Sequence, residues 1–152
     1  MATKTSADKG TNSLAAEKLQ LREAVLLLDI SRRIAAQDTL DAILQTLVEI
    51  TTAKLASERG SLFLNDPDTG ELYSRVAQGN IQREIRILNT SGIAGYVFTS
   101  GEGLVIPDAY ADPRFNRIVD EQTGFVTRNI LCVPLRTAKG EVVGVAQTLN
   151  KM

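Results

Sequence analysis

Apolar positions along the chain change their period several times, and each change predicts an element. Residues 1–13 offer almost nothing to bury among their Lys, Thr, Ser, Asp and Gly, which predicts a disordered leader. Over residues 14–36 good helix formers dominate, and Leu14, Leu21 and Leu28 recur every seven positions with Ala24 and Val25 between them. That is the pattern of a long helix with an apolar seam. Glu17 and Lys18 interrupt the seam where a two-stranded coil wants another apolar knob, so a partner helix and the chain's own domain are both open as its packing surface. Asp38 and Thr39 then offer an amino-terminal cap, and Leu40, Ile43, Leu44, Leu47, Val48 and Thr51 share one face of a second helix.

After these helices the period shortens. Residues 61–65 and 72–76 read as short strands joined by Asp66-Pro67-Asp68-Thr69-Gly70, a hairpin turn, and residues 84–88 alternate charged with apolar side chains as a half-exposed strand does. A short helix over residues 91–98 is capped by Thr90 or Ser91 and ended by Ser100-Gly101. Free amides at its start suit an anion, although the glycine spacing fits neither a phosphate-binding loop nor a dinucleotide fingerprint. A short extended piece at 104–107 leads into two irregular polar stretches, 108–116 and 120–125, whose isolated aromatics suggest a lid. Two strands, 130–136 and 141–149, linked by Thr137-Ala138-Lys139-Gly140, close the pattern. Mostly antiparallel strands with helices at the start imply an α+β layered domain.

Composition narrows the chemistry. A length of 152 residues fits one domain, placed here over residues 14–152, and 43% apolar with 23% charged residues is globular composition. Seventeen basic side chains balance 18 acidic ones for a net charge of -1, with no basic run to follow a phosphate backbone, so nucleic acid is not an expected partner. No stretch is long and apolar enough to span a membrane, and the expected location is the cytoplasm. The one cysteine, Cys132, has no internal disulfide partner and lies in an apolar run, where a free thiol behaves as a small buried hydrophobe. With no histidine in the chain, Ser-His-Asp and Cys-His arrangements are excluded, and so is a structural zinc site. A chain without catalytic residues or a metal site is expected to be regulatory.

Several motifs in series then carry a resemblance. They are Gly92-Ile93-Ala94-Gly95, Ile106-Pro107-Asp108-Ala109-Tyr110, Asp112-Pro113-Arg114-Phe115, the run from Thr123-Gly124-Phe125 through Thr127-Arg128-Asn129 to Val133-Pro134-Leu135, and Gly144-Val145-Ala146-Gln147-Thr148-Leu149-Asn150-Lys151. Over residues 40–151 the sequence resembles GAF domains of cyclic-nucleotide phosphodiesterases and cyanobacterial adenylate cyclases. The resemblance implies a GAF-like fold with a central six-stranded antiparallel sheet, helices on its other face that help a homodimer form, and a pocket under the lid. It further implies that a cyclic nucleotide is met by Ser61, Asn116, Thr123, Thr127 and Gln147 at the purine edge and by the backbone amides of Ile93 and Ala94 at the phosphate. Phe115 and Phe125 would stand as pocket wall. Hydroxyl and amide groups can read a neutral base, while amides and a helix dipole receive one negative charge. Each polar residue also has a structural role open to it: Thr123 and Thr127 to tie down the lid, Gln147 to face outward, Ser61 to fill a crowded strand start.

Two departures from the family pattern bear on the ligand. Ala77 and Gln78 stand where many cyclic-GMP binders carry an aromatic and an acidic residue, which favours cyclic AMP. Of the family's NKFDE signature Asn150 and Lys151 are present, followed by Met152, so the closing helix is missing from the sequence. No histidine adjoins the cysteine, which argues against a bilin chromophore. The expected function is therefore a sensor that binds a small ligand and relays its state to an output domain. The alternative is a dimerisation and relay module with a vestigial pocket.

Overall fold

A computed structural model describes residues 6–79 and 84–152, in two units, Met1–Asp38 and Thr39–Met152. The first unit holds one element, the 30-residue helix α1 (Ser6–Ala35). Of the leader expected over 1–13, residues 1–5 lie outside the described residues, whereas Ser6 onward is helical, a correction to the predicted disorder. The physical reason is that nucleation is the costly step in a helix, and residues added to an existing helix each gain a hydrogen bond. The span 14–152, expected as one domain, is divided between these two units at Asp38. The core clusters of the described residues begin only at Leu44. The seam leucines of α1 remain open, with Leu14, Leu21 and Leu28 at 57%, 65% and 61% exposure.

The second unit opens with α2 (Leu40–Lys54), whose N-cap is Thr39, its hydroxyl accepting from the Ala42 amide at 3.2 Å. Leu44, Val48 and Thr52, spaced four apart, face the sheet, and Leu40 and Thr51 of the predicted face are exposed instead. Strands β1 (Ser57–Asp66) and β2 (Glu71–Ala77) form the expected hairpin, followed by β3 (Arg86–Leu88), shorter than predicted. Helix α3 (Gly92–Ser100) is ended by Gly101 at φ 70°, the left-handed backbone that glycine adopts without strain. Strand β4 (Leu104–Ile106) follows, then a 3-10 turn at Ala109–Ala111, helix α4 (Ile118–Thr123), β5 (Ile130–Arg136) and β6 (Val142–Lys151). The strands make one antiparallel six-stranded sheet in the order β3-β2-β1-β6-β5-β4.

Alternation divides the core between the two faces of this sheet. On one face Val48 of α2 packs with Leu62 and Val76. On the other, Ile93, Ala94 and Val97 of α3 pack with Phe63, Leu72, Ile130, Cys132 and Val145. Leu72 and Val76 are four apart in one strand and ought to share a face. They do not, because the pairing moves from Leu62↔Val76 to Phe63↔Ser74 and leaves Arg75 as a surplus residue, a β-bulge. Arg75 uses the bend to reach Asp41 of α2 at 2.5 Å. Close approach on the α2 face depends on Gly60, since a Cβ there would stand 2.5 Å from the Thr52 hydroxyl and 2.9 Å from Val48. Cys132 is fully buried, and desolvation pushes its thiol up to about 12, so it stays protonated and inert at neutral pH.

Candidate functional site

On the α3 face the sheet does not close against its cover. A cavity remains between β1, β6, the start of α3 and the segment that runs from Asp112 to Thr127. Its volume is about 90 Å³. All eight residues expected at the site, Ser61, Ile93, Ala94, Phe115, Asn116, Thr123, Thr127 and Gln147, line this one cavity. They come from four separate parts of the chain, and the sheet register brings the outer two together by pairing Ser61 with Gln147 across β1 and β6.

Their side chains divide into two kinds. Among the described residues, neither Ser61 nor Gln147 spends its side chain on a protein hydrogen bond, so both are available to a bound molecule. The other polar residues already hold the cover in place. Asn116 accepts from the Ile118 amide at 3.0 Å and so starts α4, and the Thr123 hydroxyl donates to the Val119 carbonyl at 2.8 Å while accepting from Phe125 at 3.3 Å. Thr127, 2% exposed, donates its hydroxyl to Asp120 Oδ1 and its amide to Asp120 Oδ2, both at 2.7 Å. The structural role foreseen for Thr123 and Thr127 is thus present, and it fixes the direction of their hydroxyl hydrogens.

The irregular lid expected over 120–125 is corrected, because 118–123 form helix α4 and bury Asp120 to 7% exposure. Asp120 was not singled out from the sequence, where an acid in a polar stretch gives no sign of burial. Its carboxylate gathers Thr127 and the Tyr110 hydroxyl, the latter at 2.9 Å, and that bond holds the Tyr110 phenol above its ordinary value. Tyr110 stacks obliquely on Phe115 with ring centres 5.1 Å apart, so the isolated aromatics have a packing partner after all. Gln78 also lines the cavity, its Oε1 accepting from the Gly60 amide at 2.8 Å and the Thr52 hydroxyl at 3.1 Å.

At the base of the lid Asp112 accepts from Arg114, from Nη2 at 2.8 Å and from the backbone amide at 2.9 Å, and the guanidinium lies 4.6 Å from the Tyr96 ring of α3. The Arg114 side chain and amide lower the Asp112 carboxyl to about 2 from 3.8. A depressed folded-state value stabilises the fold above the unfolded value, and that contribution fades as pH falls through the folded one. Asp112→Asn should therefore melt below the wild type at pH 6, and the gap should close between about pH 4 and about pH 2. Thermal melts followed by circular dichroism across that range check it.

At the start of α3 the N-cap Ser91 makes no side-chain cap bond, and Ser91, Gly92, Ile93 and Ala94 all line the cavity. The first amides of a helix have no partner within it and carry the positive end of its dipole.

Comparison with known proteins agrees with this architecture. The sequence model of the family described as "GAF domain" matches residues 39–151. The chain is 36% identical over 152 residues to the dual 3',5'-cyclic-AMP and -GMP phosphodiesterase 11 of Drosophila melanogaster, covering 90% of this chain and 10% of that protein. It is 38% identical over 138 residues to the probable 3',5'-cyclic phosphodiesterase pde-5 of Caenorhabditis elegans, covering 82% of this chain and 19% of that one. The chain thus spans a fifth or less of these relatives. In fold it is similar to the GAF domain of a phosphoenolpyruvate-protein phosphotransferase from Coxiella burnetii, with a TM-score of 0.76 at 22% identity over 84% of this chain and 77% of that one.

Proposed function

This chain belongs to the GAF domain family, a family of regulatory sensor domains, and from that premise we propose that it binds cyclic AMP in preference to cyclic GMP. The observation that carries the preference is the committed direction of the two lid hydroxyls. Thr127 gives its hydrogen to Asp120 and Thr123 gives its hydrogen to Val119, so each hydroxyl meets the cavity as an acceptor. An acceptor suits the 6-amino group of adenine and repels the 6-carbonyl of guanine. Gln147, with both a donor and an acceptor, can pair with the adjacent ring nitrogen, and Ser61 opposite it adds a further hydroxyl. The cyclic phosphate then meets the free amides of Ile93 and Ala94 at the α3 terminus.

Two phosphodiesterases among the relatives, each several times the length of this chain, support a relay from this pocket to an output domain elsewhere in a longer protein. The exposed seam of α1 supports a homodimer as the unit that relays, with the second copy's α1 as the partner surface. Among the described residues no helix is long and apolar enough to cross a membrane, in keeping with action in the cytoplasm.

Titration calorimetry tests the proposal. Cyclic AMP is expected to bind at micromolar affinity or tighter, about tenfold tighter than cyclic GMP, the cost of one mismatched hydrogen bond. Thr127→Ala should weaken cyclic AMP and narrow that difference. No heat with either nucleotide, and none released on denaturing the purified protein, would remove the ligand and leave the dimerisation and relay module.

A further inference from the structure

We infer that Arg59 is a ligand-contacting residue that selects anionic ligands for this pocket and couples their capture to the lid, an inference that rests on the nucleotide reading above. Arg59 lies on β1, half-buried, two residues before Ser61 and on the same face, and it lines the cavity. Its guanidinium carbon sits 4.0 Å from the centre of the Phe125 ring, so a strand residue is laid against the lid across the cavity mouth. On another side it meets Gly79, where a Cβ would stand 2.6 Å from the guanidinium carbon. Gly79 has φ 108°, a backbone that favours glycine, so the same residue turns the chain and leaves room for the arginine.

The guanidinium is held in place, yet its hydrogen-bonding capacity is unspent. Among the described residues no carboxylate pairs with it and none of its N–H groups finds an acceptor. Its neighbour Glu58 is turned to the other side, toward Arg128 and Asn150. The cavity's other charged lining residue is Asp120, whose oxygens are taken by Thr127 and Tyr110. Among the described residues the chamber is thus lined by one cation whose donors are unengaged and by one carboxylate whose lone pairs are already taken, in a wall that is largely apolar. Such a charge is stronger there than in water, and a planar fork of donors fits an anionic oxygen pair. Because the same group rests on Phe125, a ligand that engages it also bears on the lid.

The test compares cyclic AMP with adenosine, which has the same base and no phosphate, by calorimetry on the intact chain. Arg59→Gln should weaken cyclic AMP roughly 10- to 100-fold and change adenosine less than about twofold. Arg59→Lys, which keeps the charge and loses the planar fork, should fall between. It also serves should the glutamine variant fail to fold. Amide exchange over residues 116–127 should quicken in Arg59→Gln as the lid loses its contact. If Arg59→Gln leaves cyclic AMP within about twofold of wild type, or weakens both ligands alike, the role assigned to Arg59 is wrong while the nucleotide reading stands. If the wild type binds neither molecule, both fall together.

Discussion

Replacing Asp120 with alanine should lower the unfolding free energy by about 3 kcal/mol and erase the preference for cyclic AMP over cyclic GMP. The carboxylate is buried and accepts three hydrogen bonds, from the Thr127 amide and hydroxyl and from Tyr110. Truncation leaves all three donors facing one another across a small void. The amide of Thr127, a residue 2% exposed, loses its carboxylate acceptor. A loss of that size lowers the melting temperature by roughly 10 °C in a domain of this length. The preference for cyclic AMP is expected to go as well, because Thr127 is then free to rotate its hydroxyl and donate. Asp120→Asn separates the two effects: it keeps the shape, its oxygen taking the Thr127 amide and Tyr110 hydroxyl while Nδ2 donates to the Thr127 hydroxyl and turns that hydrogen away, so it should lose selectivity for cyclic AMP. If calorimetry finds the preference intact in Asp120→Asn, the orientation of Thr127 does not set it.

The second large effect is expected at the other end of the lid. Asn150 is fully buried and is bonded four times, Oδ1 accepting from Arg128 at 2.6 Å and Asn129 at 3.4 Å, Nδ2 donating to Val126 at 2.9 Å and Glu58 at 3.1 Å. Glu58 is also paired with Arg128 at 2.5 Å, and these two partners hold its carboxyl below the ordinary range. Asn150 has φ 56°, a left-handed backbone that asparagine tolerates better than most residues. Asn150→Ala loses the bonds and keeps the strained backbone, an expected cost of about 4 kcal/mol. Asn150→Gly loses the same bonds but accepts the backbone, so it should be about 1 kcal/mol less damaging. Chemical denaturation of the two variants checks the order. Equal losses would mean that the positive φ costs nothing here.

These two residues also mark the limit of what was legible in the sequence. The elements whose signal is local were readable: the Thr39 cap, the hairpin around Asp66 to Gly70, the Gly101 stop, and the closing pair of strands. The eight site residues converge because the ordered motifs carry the family's geometry with them, not because any single one does. What stayed hidden depends on burial that composition does not announce. Asp120 reads as a surface acid until α4 folds over it, and Arg59 reads as an ordinary strand charge until Phe125 is seen lying beside it. Asn150 was visible only as a family signature, since its four partners are spread over residues 58 to 129. The exposed leucines of α1 predicted a long helix correctly, but not how early it begins, because extension from an existing helix needs no seam residue.

The surplus residue in β2 has a consequence for how insertions and deletions act on this domain. Up to Ser74 the strand counts in phase with the cavity layer, and from Val76 it counts in phase with α2, the step being absorbed at Arg75. A one-residue deletion there would not merely shorten the strand. With Arg75 removed, Val76 follows Ser74 directly and stays toward α2, while Asp41 loses its partner; it is flattening the bulge at unchanged length that would turn Val76 toward the cavity and Ala77 toward α2. The side chains at the end of β2 thus owe their assignment to wall or core to a single uncounted residue, so a strand copied from a relative without its bulge would carry the right letters on the wrong faces.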